Sequence, residues 1–319
     1  MMQARHTCVM LRSYPEFPAT MFQQLPVQYI EPLFRPPSEA RSLIFQVTNG
    51  CSWNRCTYCE MYTDPRKKFR PRPEAEVLTE IRNCAERGLT PRRVFLADGD
   101  ALVLSMRRLR NILAEIRTSL PTVQRVSSYC LPANLKRKSD DDLAELKSLG
   151  LKIIYVGAES GDDEVLRRID KGETHATTAD ALLRARAAGI KTSVMILNGL
   201  GGRVLSRQHA LASARLANET QPDYLATLVL TFYNGRDRFE AGFDNRFEQL
   251  DTVGLCEEMK TFIGALELES TIFRSDHVSN HMVLKGVLGK DKMRLLQQID
   301  QSIEYFRSHP EFDHGNLGY

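Results

Sequence analysis

The chain has 319 residues, of which 42% are hydrophobic and 26% charged, a composition typical of a globular protein with a sizeable core. Its 43 basic and 40 acidic residues leave a formal net charge of +3, which indicates neither a nucleic-acid-binding nor a membrane-surface protein. No apolar run approaches the roughly 20 residues of a membrane span, and residues 1–20 lack the apolar stretch of a secretory signal. Together with cysteines that are scattered singly outside one loop, these features predict a cytoplasmic protein.

The first 40 residues are interrupted by prolines, at Pro15, Pro18, Pro26, Pro32, Pro36 and Pro37. Proline lacks a backbone donor and blocks the continuation of a helix, so we expect residues 1–40 to form an irregular N-terminal lead-in. The organised part of the chain is expected to begin at Arg41.

Short apolar segments that alternate with helical patterns follow. The predicted strands are residues 43–47, 93–97, 123–128, 153–156, 192–197 and 224–230. The predicted helices start near 73, 106, 139, 178 and 207, with proline, serine or acidic residues at several starts and glycine at several ends. Since the strands are too uniformly apolar to alternate, they should be parallel and covered on both faces. The pattern therefore predicts an α/β fold, a partial (β/α)6 TIM-like barrel over residues 41–232, with a doubly wound open sheet as the alternative.

Beyond residue 232 the pattern is looser. Residues 253–268 and 290–306 have helical patterns, and residues 270–273 suggest a short strand. We expect residues 233–319 to form an α-rich C-terminal extension that covers the active site.

A cysteine-rich loop directly follows the first predicted strand. Three of the seven cysteines, Cys51, Cys56 and Cys59, fall within nine residues. Three thiolates cannot all pair as disulfides, and the shortest spacing would strain a bridge. Clustered soft ligands suit a metal, and three ligands leave one coordination position open. The loop is therefore a candidate metal centre.

Polar residues and glycines lie at the ends of the other predicted strands. They are Asp98, Gly99 and Asp100 after the second, Ser127 and Ser128 at the third, Glu159 at the fourth and Asn198 at the fifth. In a parallel barrel the carboxyl ends of the strands share one rim, where active sites form. This rim suits a zwitterionic, hydroxyl-bearing cofactor bound beside a metal cluster.

The cysteine spacing and the order of these features resemble the radical S-adenosylmethionine (SAM) superfamily. Its members usually carry C-x3-C-x2-C with an aromatic residue before the last cysteine. Here the spacing is C-x4-C-x2-C, and Tyr58 holds the aromatic position. The resemblance covers residues 41–232. It is nearest to the group that contains oxygen-independent coproporphyrinogen oxidases and the elongator catalytic subunit.

The resemblance implies a cofactor set and a reaction. Cys51, Cys56 and Cys59 would ligate three irons of a [4Fe-4S] cluster, whose fourth iron would chelate the amino and carboxylate groups of SAM. Reduction, by a donor such as flavodoxin or ferredoxin, would cleave SAM to a 5′-deoxyadenosyl radical that abstracts hydrogen from a substrate that the sequence does not identify. The implied SAM contacts are Tyr58 near the adenine, Asp98, Gly99 and Asp100 at the methionine amino group, Ser127, Ser128 and Glu159 at the ribose, and Asn198 beside the adenine.

The alternative is a zinc or iron–sulfur protein without SAM chemistry, in which Cys84, His175 or His277 supplies a fourth ligand. Zinc sites more often use two C-x2-C pairs, and one is present here. The absence of a cobalamin-binding half and of a C-terminal RNA-binding barrel argues against a B12-dependent methylase and a tRNA-thiolating enzyme.

Two further segments have more than one interpretation. The basic run at residues 66–72 is interpreted as a solvated face by default, with a bound anionic group as the alternative and nucleic-acid binding as the weaker one. His277 and His281 belong either to the lining of a substrate pocket or to a capped helix start.

Overall fold

The computed structural model describes residues 25–232 and 235–312, so the predicted lead-in over residues 1–24 lies outside the described residues. The strands in this part of the chain are β1 Leu43–Gln46, β2 Thr48–Asn49, β3 Arg70–Pro71, β4 Arg93–Ala97, β5 Arg125–Tyr129, β6 Leu151–Glu159, β7 Lys191–Asn198, β8 Tyr224–Val229, β9 Ile272–Ser275 and β10 Leu284–Val287. The α-helices are α1 Glu74–Glu86, α2 Met106–Ser119, α3 Pro132–Lys136, α4 Asp140–Ser148, α5 Asp163–Arg168, α6 His175–Ala187, α7 Gly202–Thr220, α8 Asp237–Gly242, α9 Thr252–Ala265 and α10 Leu288–Ser308.

The main sheet is mostly parallel. Among the described residues its eight strands lie in the order β1-β4-β5-β6-β7-β8-β9-β10. Neighbours from β1 to β9 pair in parallel, and β10 pairs antiparallel with β9. The six predicted strands are all present, and the prediction of a partial TIM-like α/β barrel is confirmed. No described helix has the length and apolarity needed to cross a lipid bilayer.

Side chains alternate between the two faces of the sheet. Phe45, Val94 and Leu96 point outward and pack with the helices in the main hydrophobic core. Their neighbours Ile44 and Phe95 point to the inner face, where a smaller apolar cluster lies. A parallel sheet buried on both faces requires apolar residues at successive positions, which is why these strands are uniformly apolar in sequence.

Residues 25–40 cover part of the inner face. The Tyr29 hydroxyl donates a hydrogen bond to the Ile44 carbonyl at 3.0 Å. Ser38, in the short 3₁₀ turn Pro37–Glu39, shares a hydroxyl–hydroxyl hydrogen bond of 2.8 Å with Tyr155. This part of the lead-in therefore lies against the barrel at β1 and β6.

Helix starts follow the predicted capping chemistry. Ser139 accepts a hydrogen bond from the Asp142 amide, and the Asp142 side chain accepts one from the Ser139 amide, a complete capping box for α4. Thr174 and Thr177 form the equivalent box for α6, three residues before the predicted start. The side-chain caps thus fix where these two helices begin.

The C-terminal part differs from the prediction in two respects. The predicted strand at residues 270–273 is β9, shifted by two residues, and it extends the parallel sheet beyond β8. Strand β10 and helix α8 were not predicted. Strand β10 contains lysine and glycine rather than an apolar run, so its short sequence carries no strand signal.

Candidate functional site

The three clustered cysteines lie on a half-buried loop after β2. Cys51, Cys56 and Cys59 are free thiols. Burial raises the pKa of Cys51 to about 11 and that of Cys59 to about 12. The charge of Asp100 adds to the shift of Cys51, and the charge of Cys56 adds to both shifts. Burial also raises the pKa of Cys56. The three groups are close enough to influence one another, and they remain protonated at neutral pH unless a metal cation displaces the protons.

Three thiols can ligate either a single ion or an iron–sulfur cluster. In residues 25–232 and 235–312, no three Cys, His, Asp or Glu side chains surround one position suited to a metal ion. A tetrahedral zinc site needs sulfurs about 3.8 Å apart, because each Zn–S bond is about 2.3 Å long. In a cubane cluster each cysteine binds a different iron, so the sulfurs stand farther apart.

The candidate fourth zinc ligands are engaged elsewhere. Cys84 is buried in the hydrophobic core at α1. The His175 ring bonds to the Gly161 carbonyl and to Glu219, each at 3.0 Å. The His277 Nδ1 atom bonds to the Ser279 hydroxyl at 2.8 Å. The zinc alternative is not favoured.

Asp100 fastens the cysteine loop to the end of β4. Its carboxylate accepts hydrogen bonds from the Ser52 amide, at 3.1 Å, and from the Ser52 hydroxyl. Asp100 is completely buried, and this burial raises its pKa to about 6, although the bonds from Ser52 oppose the shift. The predicted SAM-binding carboxylate thus contacts the residue next to Cys51.

Asp98 forms a fully buried ion pair with Lys67 beneath the same loop. Its Oδ2 atom also accepts a hydrogen bond from the Gly50 amide at 3.3 Å. The Lys67 ammonium donates a further hydrogen bond to the Ile30 carbonyl at 2.8 Å. Burial raises the pKa of Asp98, and Lys67 opposes that shift. Asp98 therefore ties together the start of the cysteine loop, the basic run and the N-terminal segment.

The basic run is only partly a solvated face. Lys67 has no exposed surface, and the Arg72 side chain is 6% exposed and pairs with Glu80 at 2.9 Å. The interpretation of residues 66–72 as a solvated face is wrong for these two residues, because both are compensated by buried carboxylates.

Gly99 allows two groups of the loop to approach the β4 turn. A Cβ atom at this position would lie 2.8 Å from Tyr62 Cε2 and 3.0 Å from Cys51 Cβ. Real side chains do not make contacts as short as the first, so any larger residue would displace Tyr62 or Cys51. Close packing at the cysteine loop explains why glycine follows Asp98.

Tyr58, Glu159 and Lys171 form a buried polar group beside Cys56. Lys171 Nζ lies 3.2 Å from Glu159 Oε1 and 3.4 Å from the Tyr58 hydroxyl. Burial disfavours the ammonium, but the charges of Glu159 and Cys56 outweigh it and hold the Lys171 pKa above its usual value. Glu159 Oε2 is buried and makes no hydrogen bond within the described structure. Because buried carboxylate oxygens are nearly always paired, this oxygen is suited to receive a ligand donor.

The cysteine loop also docks on the turn between α5 and α6. The Trp53 indole donates a hydrogen bond to the Asp170 carbonyl at 2.7 Å, and the Thr57 amide donates one to Ile169 at 2.9 Å. Gly172 has a positive φ of 73°, and a Cβ there would lie 2.3 Å from Trp53 Cζ2. The turn thus brings Lys171 to the loop.

The remaining predicted contacts use their side chains within the protein. Ser127 donates to the Val94 carbonyl at 3.3 Å, and Ser128 donates to the Leu96 carbonyl at 3.0 Å. The Asn198 amide donates to the Leu255 carbonyl at 3.2 Å, on the helix-facing side of β7. These three side chains do not join the group around Glu159, and their contacts with a cofactor stay predictions.

Two lysines of the site were not predicted. Lys171 stood in the sequence only as an interruption between two helical patterns, and Lys67 as one charge in a basic run. Each is buried against a carboxylate from a different part of the fold, Glu159 at the end of β6 or Asp98 after β4. The break in the helical pattern at residues 171–172 was the one available signal, because a helix interrupted after a barrel strand leaves a turn at the rim.

These groups fit a cluster and a zwitterionic ligand. The loop carries three thiols, and the adjacent rim has an unpaired Glu159 oxygen and the buried Lys171 ammonium. A carboxylate oxygen accepts from hydroxyl or amino groups, and an ammonium binds a carboxylate. The site therefore offers complementary partners for both charges and for the hydroxyls of such a ligand.

The known proteins that are similar to this chain point to one superfamily. The family model described as the radical SAM superfamily matches residues 45–216, more than half of the chain. The heme chaperone HemW of Bacillus subtilis is 23% identical over 189 residues, which are 56% of this chain and 49% of that protein. A tRNA-2-methylthio-N(6)-dimethylallyladenosine synthase of Acidithiobacillus ferrooxidans is 26% identical over 226 residues, 67% of this chain and 44% of that one. The chain thus spans about half or less of the length of these curated relatives.

Solved structures share the fold. Coproporphyrinogen III oxidase (HemN) from Escherichia coli aligns with a TM-score of 0.53 at 16% identity, over 78% of this chain and 56% of that one. The methyltransferase TsrM from Kitasatospora setae aligns with a TM-score of 0.51 at 21% identity, over 64% and 39%. Members of the matched family use a [4Fe-4S] cluster to cleave SAM and require a reductant. The extent of the family match, over the strands that carry the cysteine loop and the Glu159 group, establishes that this chain belongs to the radical SAM superfamily.

Proposed function

We propose that Cys51, Cys56 and Cys59 hold the cluster of this enzyme and that Glu159 and Lys171 bind SAM beside it. The observation that carries this assignment is the buried Glu159–Lys171 pair, which lies next to Cys56 and leaves one Glu159 oxygen without a partner. Together a [4Fe-4S] cluster and SAM supply the family's chemistry, reductive formation of a 5′-deoxyadenosyl radical that abstracts hydrogen from substrate.

The chain's own residues would bind and orient SAM. Glu159 Oε2 would accept hydrogen bonds from ribose hydroxyls, and the Lys171 ammonium would pair with the SAM carboxylate. Tyr58, within hydrogen-bond distance of Lys171, would pack beside the adenine. Asp100 would act through Ser52, since its hydrogen bonds hold the loop that carries the thiols. In this proposal Asp100 is a positioning residue.

We further propose that residues 41–232 form the catalytic barrel, which β9 and β10 extend, and that the part of residues 233–319 around α8 covers the cysteine loop. Arg238, on α8, donates hydrogen bonds to the backbone carbonyls of Arg55 and Cys56 at 3.4 and 3.3 Å. The same helix buries Phe239 completely. A cover over this loop would limit the access of water and oxygen to the reaction.

The electron donor is inferred to be a flavodoxin- or ferredoxin-type protein in a reducing compartment. The three loop cysteines are only half-buried, which leaves the proposed cluster within reach of a protein that docks on this face. Cys84, Cys130 and Cys256 are free and buried, as is common for proteins in a reducing cytoplasm.

Anaerobic reconstitution tests the assignment. The protein is loaded with iron and sulfide, its iron content and electron paramagnetic resonance spectrum are recorded, and 5′-deoxyadenosine formation from SAM is measured with dithionite. Cys56→Ala should lose most of the iron and all detectable 5′-deoxyadenosine. Cys256→Ala, a buried cysteine on α9, should retain both. Stoichiometric zinc in the wild-type protein without SAM cleavage would contradict the proposal.

Lys171 is tested in the same assay. Lys171→Gln should keep the iron content and raise the SAM concentration needed for half-maximal 5′-deoxyadenosine formation, since a neutral amide cannot pair with a carboxylate. Lys171→Arg should recover part of that loss. Equal SAM dependence in wild type and Lys171→Gln would remove Lys171 from the proposed SAM site while leaving the cluster assignment intact.

A further inference from the structure

A row of inner-face residues runs from the Glu159 group toward the far edge of the sheet. The strand register pairs Gly157 with Met195, Met195 with Ala226, Ala226 with Arg274, and Arg274 with Lys285. Residues paired in this way share one face of a sheet. The row therefore crosses five adjacent strands, from β6 to β10.

The burial of neighbouring residues shows that this row lies on the inner face of the sheet. Phe273 and Ser275, on either side of Arg274, are buried, and Phe273 belongs to the core under the helices. Arg274 must therefore point to the opposite, inner face. At the other end of the row, a Cβ on Gly157 would lie 2.1 Å from Glu159 Oε1, so the Glu159 carboxylate lies over the same face. Three strand spacings, about 14 Å, separate Gly157 from Arg274.

Arg274 differs from the other cations near this face. It is exposed, and its guanidinium donates to its own neighbour's carbonyl, Phe273, at 2.8 Å. Among the described residues it forms no ion pair, whereas Lys171 pairs with Glu159 and Lys285 pairs with Asp276 at 2.8 Å. Arg274 lies on β9 rather than on the edge strand β10, so a charge there is not needed to protect the sheet edge.

The floor between the two ends is accessible and apolar. Met195 and Ala226 are partly exposed, although both lie in the interior of the sheet. A ligand on this floor would contact an apolar surface, with the Glu159 group at one end and the Arg274 guanidinium at the other. That arrangement matches a molecule with an apolar body and an anionic end.

We propose that Arg274 recognises the substrate and that the substrate carries a carboxylate or phosphate group, bound by the guanidinium through paired hydrogen bonds. Met195 and Ala226 contact the part of the substrate between this anion and the reacting carbon. The inference rests on the proposed function, because it takes the Glu159 end of the row as the place where hydrogen abstraction occurs.

Anion titration of the reconstituted full-length protein tests the proposal. Inorganic pyrophosphate and tricarballylate are the two probes, measured by isothermal titration calorimetry at low ionic strength with SAM present. We expect the wild-type protein to bind at least one probe and Arg274→Gln to bind it about tenfold more weakly or worse, the scale of a charged hydrogen bond. Preference for pyrophosphate or for tricarballylate distinguishes a phosphate from a carboxylate substrate.

Two variants complete the test. Arg274→Lys should keep part of the affinity, and Arg117→Gln, an exposed arginine on the outer helix α2, should keep all of it. The proposal is overturned if neither probe binds the wild type, if Arg274→Gln binds as tightly as the wild type, or if Arg117→Gln loses as much. Formation of 5′-deoxyadenosine without substrate should be unchanged in Arg117→Gln. Failure of SAM cleavage in the wild type instead contradicts the proposed function, whatever the titration gives.

Discussion

Glu159 and Lys171 form an ion pair of 3.2 Å whose side chains are only 4% and 5% exposed. The two residues come from different elements, since Glu159 ends β6 and Lys171 follows α5. Removing one partner of a buried pair leaves an uncompensated charge, which is more destabilising than removing both. Stability measurements can therefore test this contact independently of catalysis.

Lys171→Met should lower the free energy of unfolding by about 3 to 5 kcal/mol, because Glu159 loses its compensating charge. The double variant with Glu159→Gln should recover a large part of this loss. Lys285→Met, which breaks an exposed pair with Asp276, should change stability by about 1 kcal/mol or less. Urea unfolding followed by circular dichroism gives all three values. Similar losses in the two lysine variants would contradict the buried pair.

Gly99→Ala should displace residues of the cysteine loop, because the added methyl group meets the Tyr62 ring at 2.8 Å and Cys51 Cβ at 3.0 Å. We expect a lower iron content after reconstitution and slower 5′-deoxyadenosine formation. Gly264→Ala is the matched control, since nothing lies within 4 Å of a Cβ at that position in α9. Full iron loading of Gly99→Ala would show that the loop tolerates the displacement.

Gly172→Ala should destabilise the docking of the cysteine loop on the α5–α6 turn. Gly172 and Gly88 have nearly the same positive φ, 73° and 70°, but a Cβ at Gly88 meets nothing within 4 Å, whereas one at Gly172 meets Trp53 at 2.3 Å. Gly88→Ala thus measures the backbone strain alone. We expect Gly172→Ala to lose about 1 to 3 kcal/mol more, the usual cost of overpacking.

Trp53 reports the same change spectroscopically, because it is the single tryptophan of the chain. Gly172→Ala should shift its emission to longer wavelength, as expected for an indole moved toward water. Gly88→Ala should leave the emission unchanged. Equal stabilities and equal spectra in the two variants would rule out tight packing between Gly172 and Trp53.

Stability should also depend on pH through Glu258, on α9. Burial raises its pKa above the ordinary value of 4.5, although His209, Ser206 and the Gly199 amide oppose the shift. When the pKa of a group is higher in the folded state than in the unfolded state, its protonated form stabilises the fold. This contribution to the free energy of unfolding is fully present below the unfolded pKa and is lost as pH rises through the folded pKa. Glu258→Gln should therefore gain stability relative to the wild type as pH rises from about 5 to about 8.

The control for this titration is Glu257→Gln, at the exposed neighbouring position on the same helix. Urea unfolding at several pH values gives the difference from wild type for each variant. We expect the Glu258→Gln difference to grow with pH. A Glu258→Gln difference that shrinks with rising pH would contradict a raised pKa of Glu258 in the folded state.

The parallel sheet could be predicted because its local signals agree with its environment. Residues 94–97 are apolar at successive positions because Val94 and Leu96 pack under helices while Phe95 packs on the inner face. The start of α4 was predictable from Ser139, whose capping side chain acts within one turn. Such features depend on contacts between residues close together in sequence, or on a burial pattern that every parallel strand shares.

The site was less predictable, because its contacts are distant in sequence. The burial of Lys67 depends on Asp98, directly after β4, and on the Ile30 carbonyl, and a basic run gives no sign of either. Asn198 marks the end of β7 correctly, but the face on which its side chain lies follows from alternation along the strand. Ile196 packs in the helix-facing core, so a residue two positions later faces the same way. The two-residue spacing between Ile196 and Asn198 was therefore the available signal for the face on which the Asn198 side chain lies.

The contacts of the cysteine loop set an order for its maturation. Asp98, Asp100 and the turn at residues 169–172 hold the loop, and Arg238 bonds to it from still farther along the chain. During synthesis Cys59 emerges long before these partners do. The thiols therefore reach their final arrangement only when most of the barrel has been made, and iron delivered earlier would meet a flexible peptide. We therefore expect assembly of the proposed cluster to be a late event, coupled to completion of the fold rather than to synthesis of the motif.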